Sequence, residues 1–184
     1  MSNDQILQNK TIIVTGASTG IGQAFAVACA SYGAKIIVAD MNLGEETVKI
    51  VKSNGGEAKF VEVDVANENS TNLMAKAAYD WTGRVDGLIN NAAYFREVKL
   101  TPFEEIDVAV WDKIFDVNVK GIWQCSKAVI PYMRNNKGGS IINISSVVAV
   151  AGQPGYLHYV ATKGAVLAMT KGLAKECGKD LVRV

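Results

Sequence analysis

This sequence predicts a doubly wound α/β fold, a parallel sheet with helices on both faces, and three observations predict it. Short β-branched runs alternate with longer helical patterns along the whole chain of 184 residues. Those runs (IIV, IIVA, LIN) are almost continuously apolar, as strands buried on both faces have to be. The repeated β-α units are long enough for the right-handed crossovers that join parallel strands.

TIIVTG, residues 11–16, is the first strand, and GQAFAVACASYG carries the first helix. KIIVAD, 35–40, is the second strand, and NLGEETVKIVKSNGG holds a polar helix that stops at Gly55-Gly56. AKFVEVDV, 58–65, is the third strand and leads into a helix from about Asn67 to Trp81. RVDGLINNAA, 84–93, is the fourth strand, followed by one long helix over 104–135 that ends before Gly138-Gly139. GSIINISS, 139–146, is the fifth strand, and a last helix starts near Tyr159. Trp111, Phe115, Ile122 and Val129 recur at near-helical spacing and read as packing residues. CGKDLVRV reads as the turn and opening of a sixth strand. No linker, repeat or low-complexity stretch divides the chain, so residues 1–184 read as a single domain.

Composition narrows the function. The chain is 49% apolar and 20% charged with three prolines, which describes a globular core. Its 19 basic and 18 acidic residues leave a net charge of +1 and no basic stripe, so no nucleic-acid partner is expected. No apolar run approaches the ~18 residues of a membrane span. The polar opening MSNDQILQNK lacks the order of a secretory signal. Cys29, Cys125 and Cys177 lie far apart without a C-x-x-C, which suits free thiols in a reducing, cytoplasmic compartment. One histidine leaves little to build a metal site from.

In such a fold ligands bind beyond the carboxyl ends of the strands. Four chemically promising stretches fall there: Gly16–Gly22, Asp40, Asn90–Ala93 and Ser145-Ser146. VTGASTGIG places Gly16, Gly20 and Gly22 at a strand–loop–helix junction, where free N–H groups and the positive helix end attract a pyrophosphate. The spacing G-x-x-x-G-x-G is neither the usual dinucleotide fingerprint nor a phosphate loop with its lysine. The same glycines could serve a turn and helix packing. Asp40, ending the second strand, favours the nucleotide, since an acid there can bond ribose hydroxyls; it could also cap the next helix. Its charge would repel a 2′-phosphate by about 4 kcal/mol per pair of unit charges at ~4 Å and an effective dielectric near 20. With no cation at Thr19 or Met41, NAD is expected over NADP.

In chain order, TGASTGIG, Asp64-Val65, NNAA at 90–93, Asn118 in DVNVKG, the serine of NISS and Tyr159-x-x-x-Lys163 resemble the motifs of the short-chain dehydrogenase/reductases. The resemblance covers essentially the whole chain and implies a Rossmann-like fold. It implies that Gly16, Ser18, Gly20, Ile21 and Gly22 line the pyrophosphate and ribose, and that Asp40 takes the adenosine ribose. Asp64 and Val65 would flank the adenine, and Asn91 and Ala92 would run beside the cofactor, while Asn90 steadies the central strand. Ser146, 13 residues before Tyr159, matches the family's catalytic serine; Ser145 should point to the other side of its strand.

The residue types suit the chemistry the resemblance implies. Near neutrality only about one free tyrosine in a thousand is ionised. Lys163, on the same helical face as Tyr159 four residues away, is placed to stabilise the phenolate and lower that pKa. Tyr159 would then move the alcohol proton, Ser146 would hold the substrate oxygen, and Asn118 would hold a relaying water. Lys163 and Tyr159 would also contact the cofactor. An NAD-dependent oxidoreductase acting on a small or medium secondary alcohol or ketone is the leading expectation. Family members commonly assemble as tetramers through the long helix and the Tyr159 helix.

His158 should lie about 100° around the helix from Tyr159 and reads as surface or interface. Tyr94, Phe95, Arg96, Val147, Val148, Gln153 and Tyr156 follow strand ends and are candidates for a substrate cleft, Arg96 reading first as a solvated cation. Two departures stand out: NNAA in place of NNAG puts a methyl at Ala93, and the chain ends at the sixth strand. The resemblance therefore implies a C-terminally incomplete family member, with its last strands and substrate lid missing. A non-catalytic NAD-binding or interaction module is the competing reading, and an epimerase or dehydratase a third.

Overall fold

The computed structural model describes residues 5–184; residues 1–4, which begin the polar opening, lie outside the described residues. Six strands form one parallel sheet in the order β3-β2-β1-β4-β5-β6. They are β1 Thr11–Thr15, β2 Lys35–Asp40, β3 Glu57–Glu62, β4 Gly87–Asn90, β5 Gly139–Asn143 and β6 Val182–Arg183. Helices α1 Gly20–Ser31 and α2 Glu45–Ser53 cover one face. Helices α3 Glu68–Thr82, α4 Val108–Phe115, α5 Gly121–Asn135 and α7 Leu157–Cys177 lie between the later strands, with a short α6 at Val148–Ala151. The doubly wound, Rossmann-like class is the observed one.

Strand geometry divides the core in two. Successive side chains alternate between faces, so Ile12 and Val14 pack with Ile36, Val38, Ala26 of α1 and Val51 of α2. Ile13 points the other way, with Ile37, Leu88, Ile141, Met74 of α3 and Val129 of α5. All five residues of β1 are therefore buried, and no polar alternation shows in its sequence.

Several boundaries differ from those the sequence suggests. The third, fourth and fifth strands end at Glu62, Asn90 and Asn143, several residues early, because their registered neighbours end there: Asp40 opposite Glu62, Asn143 opposite Asn90. The released segments form the loops of the site. The long helix predicted over 104–135 is interrupted. A 3₁₀ turn at Phe103–Glu105 precedes α4, which Asp107 caps by accepting the Ala109 N–H at 2.7 Å. A π-helical turn at Asp116–Lys120 then separates α4 from α5. Its wider ring accommodates an extra residue and is a frequent marker of function. The last helix starts at Leu157, two residues ahead of Tyr159.

Thr15, Asp40, Asn90 and Asn143 thus share one edge of the sheet. Ile37, on β2 between β1 and β3, is fully buried. Ile37→Ala should cost about 2–5 kcal/mol, transfer and cavity terms together, read as a drop in the urea midpoint. A loss below ~1 kcal/mol would mean that this face of the sheet is not close-packed.

Candidate active site

The glycine loop joins β1 to α1 and gives its three glycines different tasks. Gly16 adopts φ +65°, and a Cβ there would lie 2.8 Å from Ala92 Cα. At Gly22 a Cβ would sit 2.1 Å from the Gly16 carbonyl oxygen, so α1 packs directly on its own loop. Gly20, at φ +61°, faces outward. α1 begins at Gly20, with no side-chain bond from its N-cap Thr19 and no acid in its first turn. Thr19, Gly20 and Ile21 are exposed. An uncapped helix N-terminus behind a loop without a crowding side chain fits a dinucleotide phosphate.

Neighbouring elements hold this loop rigidly. Asp40 accepts the Ser18 N–H on Oδ2 (2.9 Å) and the Asn42 N–H on Oδ1 (3.0 Å). It does not cap α2, whose N-cap is Gly44. The Thr47 hydroxyl donates to the Ala17 carbonyl (2.9 Å) and accepts from Gln23 Nε2 (2.9 Å). Asn91 Nδ2 donates to the Thr15 and Gly16 carbonyls, both at 3.0 Å. Thr15 Oγ1 accepts the N–H groups of Asn91 and Ala92, both at 3.1 Å. Thr15 and Thr47 were not among the residues singled out from sequence. The available signal was the four-residue spacing of Thr47 and Val51, the buried positions of an otherwise polar α2.

Two expected contacts need revision. Ser18 is buried and spends its hydroxyl on the Asn42 carbonyl (2.9 Å), so its side chain braces the loop from within. Val65 is only 6% exposed and its side chain packs beneath Gly121, leaving Asp64 as the more accessible of the two toward an adenine. Asp64 accepts the Ala66 N–H at 2.9 Å, which turns the chain out of β3.

At the far end of the same edge, the Ser146 hydroxyl lies close enough to the Tyr159 phenol to lower its pKa, and it accepts the Val148 N–H at 3.4 Å. Ser145 points oppositely, donating to the Lys163 carbonyl at 2.9 Å. The Phe95 ring lies 4.5 Å from that of Tyr159 and 5.8 Å from that of Tyr156. Lys163 is 3% exposed; its Nζ donates to the Ile144 carbonyl at 2.7 Å and lies 5.6 Å from the Tyr159 ring centroid. Burial pushes the Lys163 ammonium down to about 8. Burial also raises the Tyr159 phenol, with the Ser146 hydroxyl pulling the other way. This corrects the expectation of a phenol lowered by Lys163: the ammonium turns its hydrogen bond to a carbonyl, and loss of solvent dominates at Tyr159.

Asn118 lies in the π turn, 1% exposed. Its Oδ1 accepts the Tyr94 N–H (2.7 Å), and its Nδ2 donates to Thr162 Oγ1 (3.3 Å). Thr162 in turn donates to the Tyr159 carbonyl at 2.8 Å. Asn90 donates to Asn143 Oδ1 (2.8 Å) across β4 and β5.

His158, expected at the surface, is 1% exposed and its Nδ1 has no partner. It shares a face with Thr162 and Val166, also buried, at four-residue intervals; that spacing was the signal, and desolvation lowers the imidazole pKa. Ala93 is exposed and crowds nothing. Among the described residues no group of three or more histidines, cysteines or acids could hold a metal, and no helix is long and apolar enough to cross a membrane. Cys29, Cys125 and Cys177 are free thiols. A groove of about 1090 Å³ between α3, α5 and the end of α7 contains none of the candidate residues.

The family model for short chain dehydrogenase matches residues 10–184. An oxidoreductase of Bacillus subtilis (strain 168), YxbG, is 41% identical over 180 residues, covering 97% of this chain and 65% of that protein. Cyclopentanol dehydrogenase of Comamonas sp. is 34% identical over 180 residues, covering 97% and 71%. NAD+-bound xylitol dehydrogenase superposes with a TM-score of 0.93 at 30% identity, over 97% of this chain and 69% of that one. The chain thus spans about two thirds of the length of these relatives.

Folding lowers Lys163 from an ordinary 10.5 to about 8, so between those values the unfolded chain binds more protons and stability rises with pH. Lys163→Met removes the cost of the buried charge. Its urea midpoint should exceed the parent's most at or below pH 8, with the gap narrowing toward pH 10. A gap independent of pH would contradict the burial account.

Proposed function

Because this chain belongs to the short-chain dehydrogenase family of oxidoreductases, we propose that it passes a hydride between NAD(H) and a small or medium secondary alcohol or ketone. The observation that carries the reading is Lys163 against the Tyr159 ring, with the Ser146 hydroxyl beside the phenol, on the strand edge that also bears the glycine loop. We read residues 1–184 as one dinucleotide-binding domain serving this reaction.

In oxidation Tyr159 takes the hydroxyl proton from the substrate; in reduction it returns one to the carbonyl oxygen. Its raised pKa keeps the phenol protonated near neutrality, the form that donates to a ketone. Ser146, beside the phenol, holds the substrate oxygen at the same point. Lys163 supplies the charge that steadies a phenolate once solvent is excluded, and holds the nicotinamide ribose. Asn118 orients the relay of the proton to solvent through Lys163. The nicotinamide ring of NAD, when bound, accepts or donates the hydride at C4. Gly16, Gly20, Ile21 and Gly22 present backbone to the pyrophosphate, with Ser18 bracing them. Asp40, fixed by Ser18 and Asn42, addresses the adenosine ribose and repels a 2′-phosphate. Asp64, the Val65 backbone, Asn91 and Ala92 line the rest of the cofactor's path.

The 34% identity to a cyclopentanol dehydrogenase supports a secondary alcohol, and the likeness to NAD+-bound xylitol dehydrogenase supports NAD. Phe95 and Tyr156 beside Tyr159 give the substrate an aromatic wall. A cytoplasmic homo-oligomer, a tetramer or dimer through α5 and α7, belongs to the same reading; Trp123 on α5 and Leu167 on α7 are exposed at 46% and 39%.

NADH at 100 times its dissociation constant should stabilise the fold by about 2.7 kcal/mol and raise the unfolding midpoint, with NADPH doing far less. Equal shifts would remove Asp40 as the selector. Tyr159→Phe should lower turnover about 10²–10⁴-fold while keeping the NADH shift. A variant as active as the parent would refute the proton-transfer role, and an NADH shift without turnover of any alcohol would leave a binding module.

A further inference from the structure

Arg96 occupies a place that its sequence position does not suggest. It follows β4, 77 residues from Thr19 along the chain, yet its Nη2 lies 3.5 Å from the Thr19 hydroxyl. A Cβ on Gly20 would meet this same Nη2, also at 3.5 Å, and nothing else within 4 Å. The guanidinium therefore stands over the first turn of α1, the turn with no side-chain cap and no acidic residue. None of the ion pairs among the described residues involves Arg96.

Electrostatics makes this arrangement informative. A helix N-terminus carries a partial positive charge, which favours anions and disfavours cations. Here a full cation faces that positive end with no carboxylate between them. Contact at the outer limit of a hydrogen bond holds Arg96 weakly and leaves most of its five donors uncommitted. Gly20, without a side chain, keeps the gap clear. Two positive poles across a narrow gap are complementary to an anion placed in it.

We propose that Arg96 is a cofactor-binding residue that pairs with the pyrophosphate, facing the N–H groups of α1 from the opposite side. The proposal rests on the NAD reading above and assigns to that site a residue 74 positions beyond the last glycine of the loop, Gly22 against Arg96. It also brings a cation beside Thr19 from a position remote in the sequence. A guanidinium suits the task because its planar fork can take two phosphate oxygens at once.

Calorimetric titration of the 184-residue chain and its Arg96→Gln variant with NADH, ADP and adenosine tests this. The variant should lose about tenfold or more in affinity for NADH and ADP, as for a charge-assisted hydrogen bond, and nothing for adenosine. Arg96→Lys should recover part of the loss, keeping the charge without the fork. Arg96 is exposed, so the unliganded unfolding midpoint of Arg96→Gln should match the parent's. Unchanged ADP affinity would overturn the proposal, as would equal weakening toward all three ligands, which would point to a distorted loop. A parent chain that binds no NADH would overturn the NAD reading itself, and needs no variant to be seen.

Discussion

The buried hydroxyl of Thr15 is the joint on which the rest of the site depends. At the end of the central strand it accepts two N–H groups from the segment after β4, while Asn91 returns two hydrogen bonds to the carbonyls of Thr15 and Gly16. Each bond is worth only about 0.5–1.5 kcal/mol net, but a buried N–H left without its partner costs about 1–3. The clamp is therefore hard to open one bond at a time. It sets the glycine loop against Ala92 so closely that Gly16 has no room for a Cβ. A loop that presents backbone to a ligand needs such outside support, because beyond Ser18 it has few side chains with which to fix itself.

From that joint the order propagates along the sheet edge. The β4 segment continues to Tyr94, whose N–H Asn118 captures from the π turn, and Asn118 reaches on to Thr162 beneath Tyr159. One buried amide thus connects a strand end, an interrupted helix and the helix that carries the Tyr–Lys pair. The π turn gives Asn118 its place: without the break, α4 and α5 would form one regular helix with a different phase at residue 118. Position 118 therefore serves structure and proposed chemistry together.

Burial acts on the titrating pair in opposite senses. It lowers the ammonium of Lys163 and raises the phenol of Tyr159, in each case disfavouring the charged form. Both groups become easier to hold neutral: Lys163 comes closer to exchanging a proton near neutrality than it would in water, while Tyr159 moves further from ionising. The Ile144 carbonyl and the Ser146 hydroxyl supply the polar partners that make such burial tolerable.

The sequence by itself determined the class of fold and the order of its elements, because strands buried on both faces require continuous apolar runs and parallel crossovers require helices between them. It also put the candidate chemistry at strand ends: the glycines of the loop, Asp40, Ser146 in place of Ser145, and the spacing of Tyr159 and Lys163 are local patterns. Only the tertiary structure decided what depends on distant partners. Strand ends follow the length of their neighbours, so β3, β4 and β5 stop short of their apolar or motif-bearing continuations. His158 is buried because of what α7 packs against, and Val65 because Gly121 lies above it. Thr15, Thr47 and Thr162 are unremarkable in the chain and become brackets only when loops converge on them. The approach of Arg96 to Thr19, and the direction in which Tyr159 titrates, depend on solvent exclusion and charge placement across the whole fold, which no local pattern encodes.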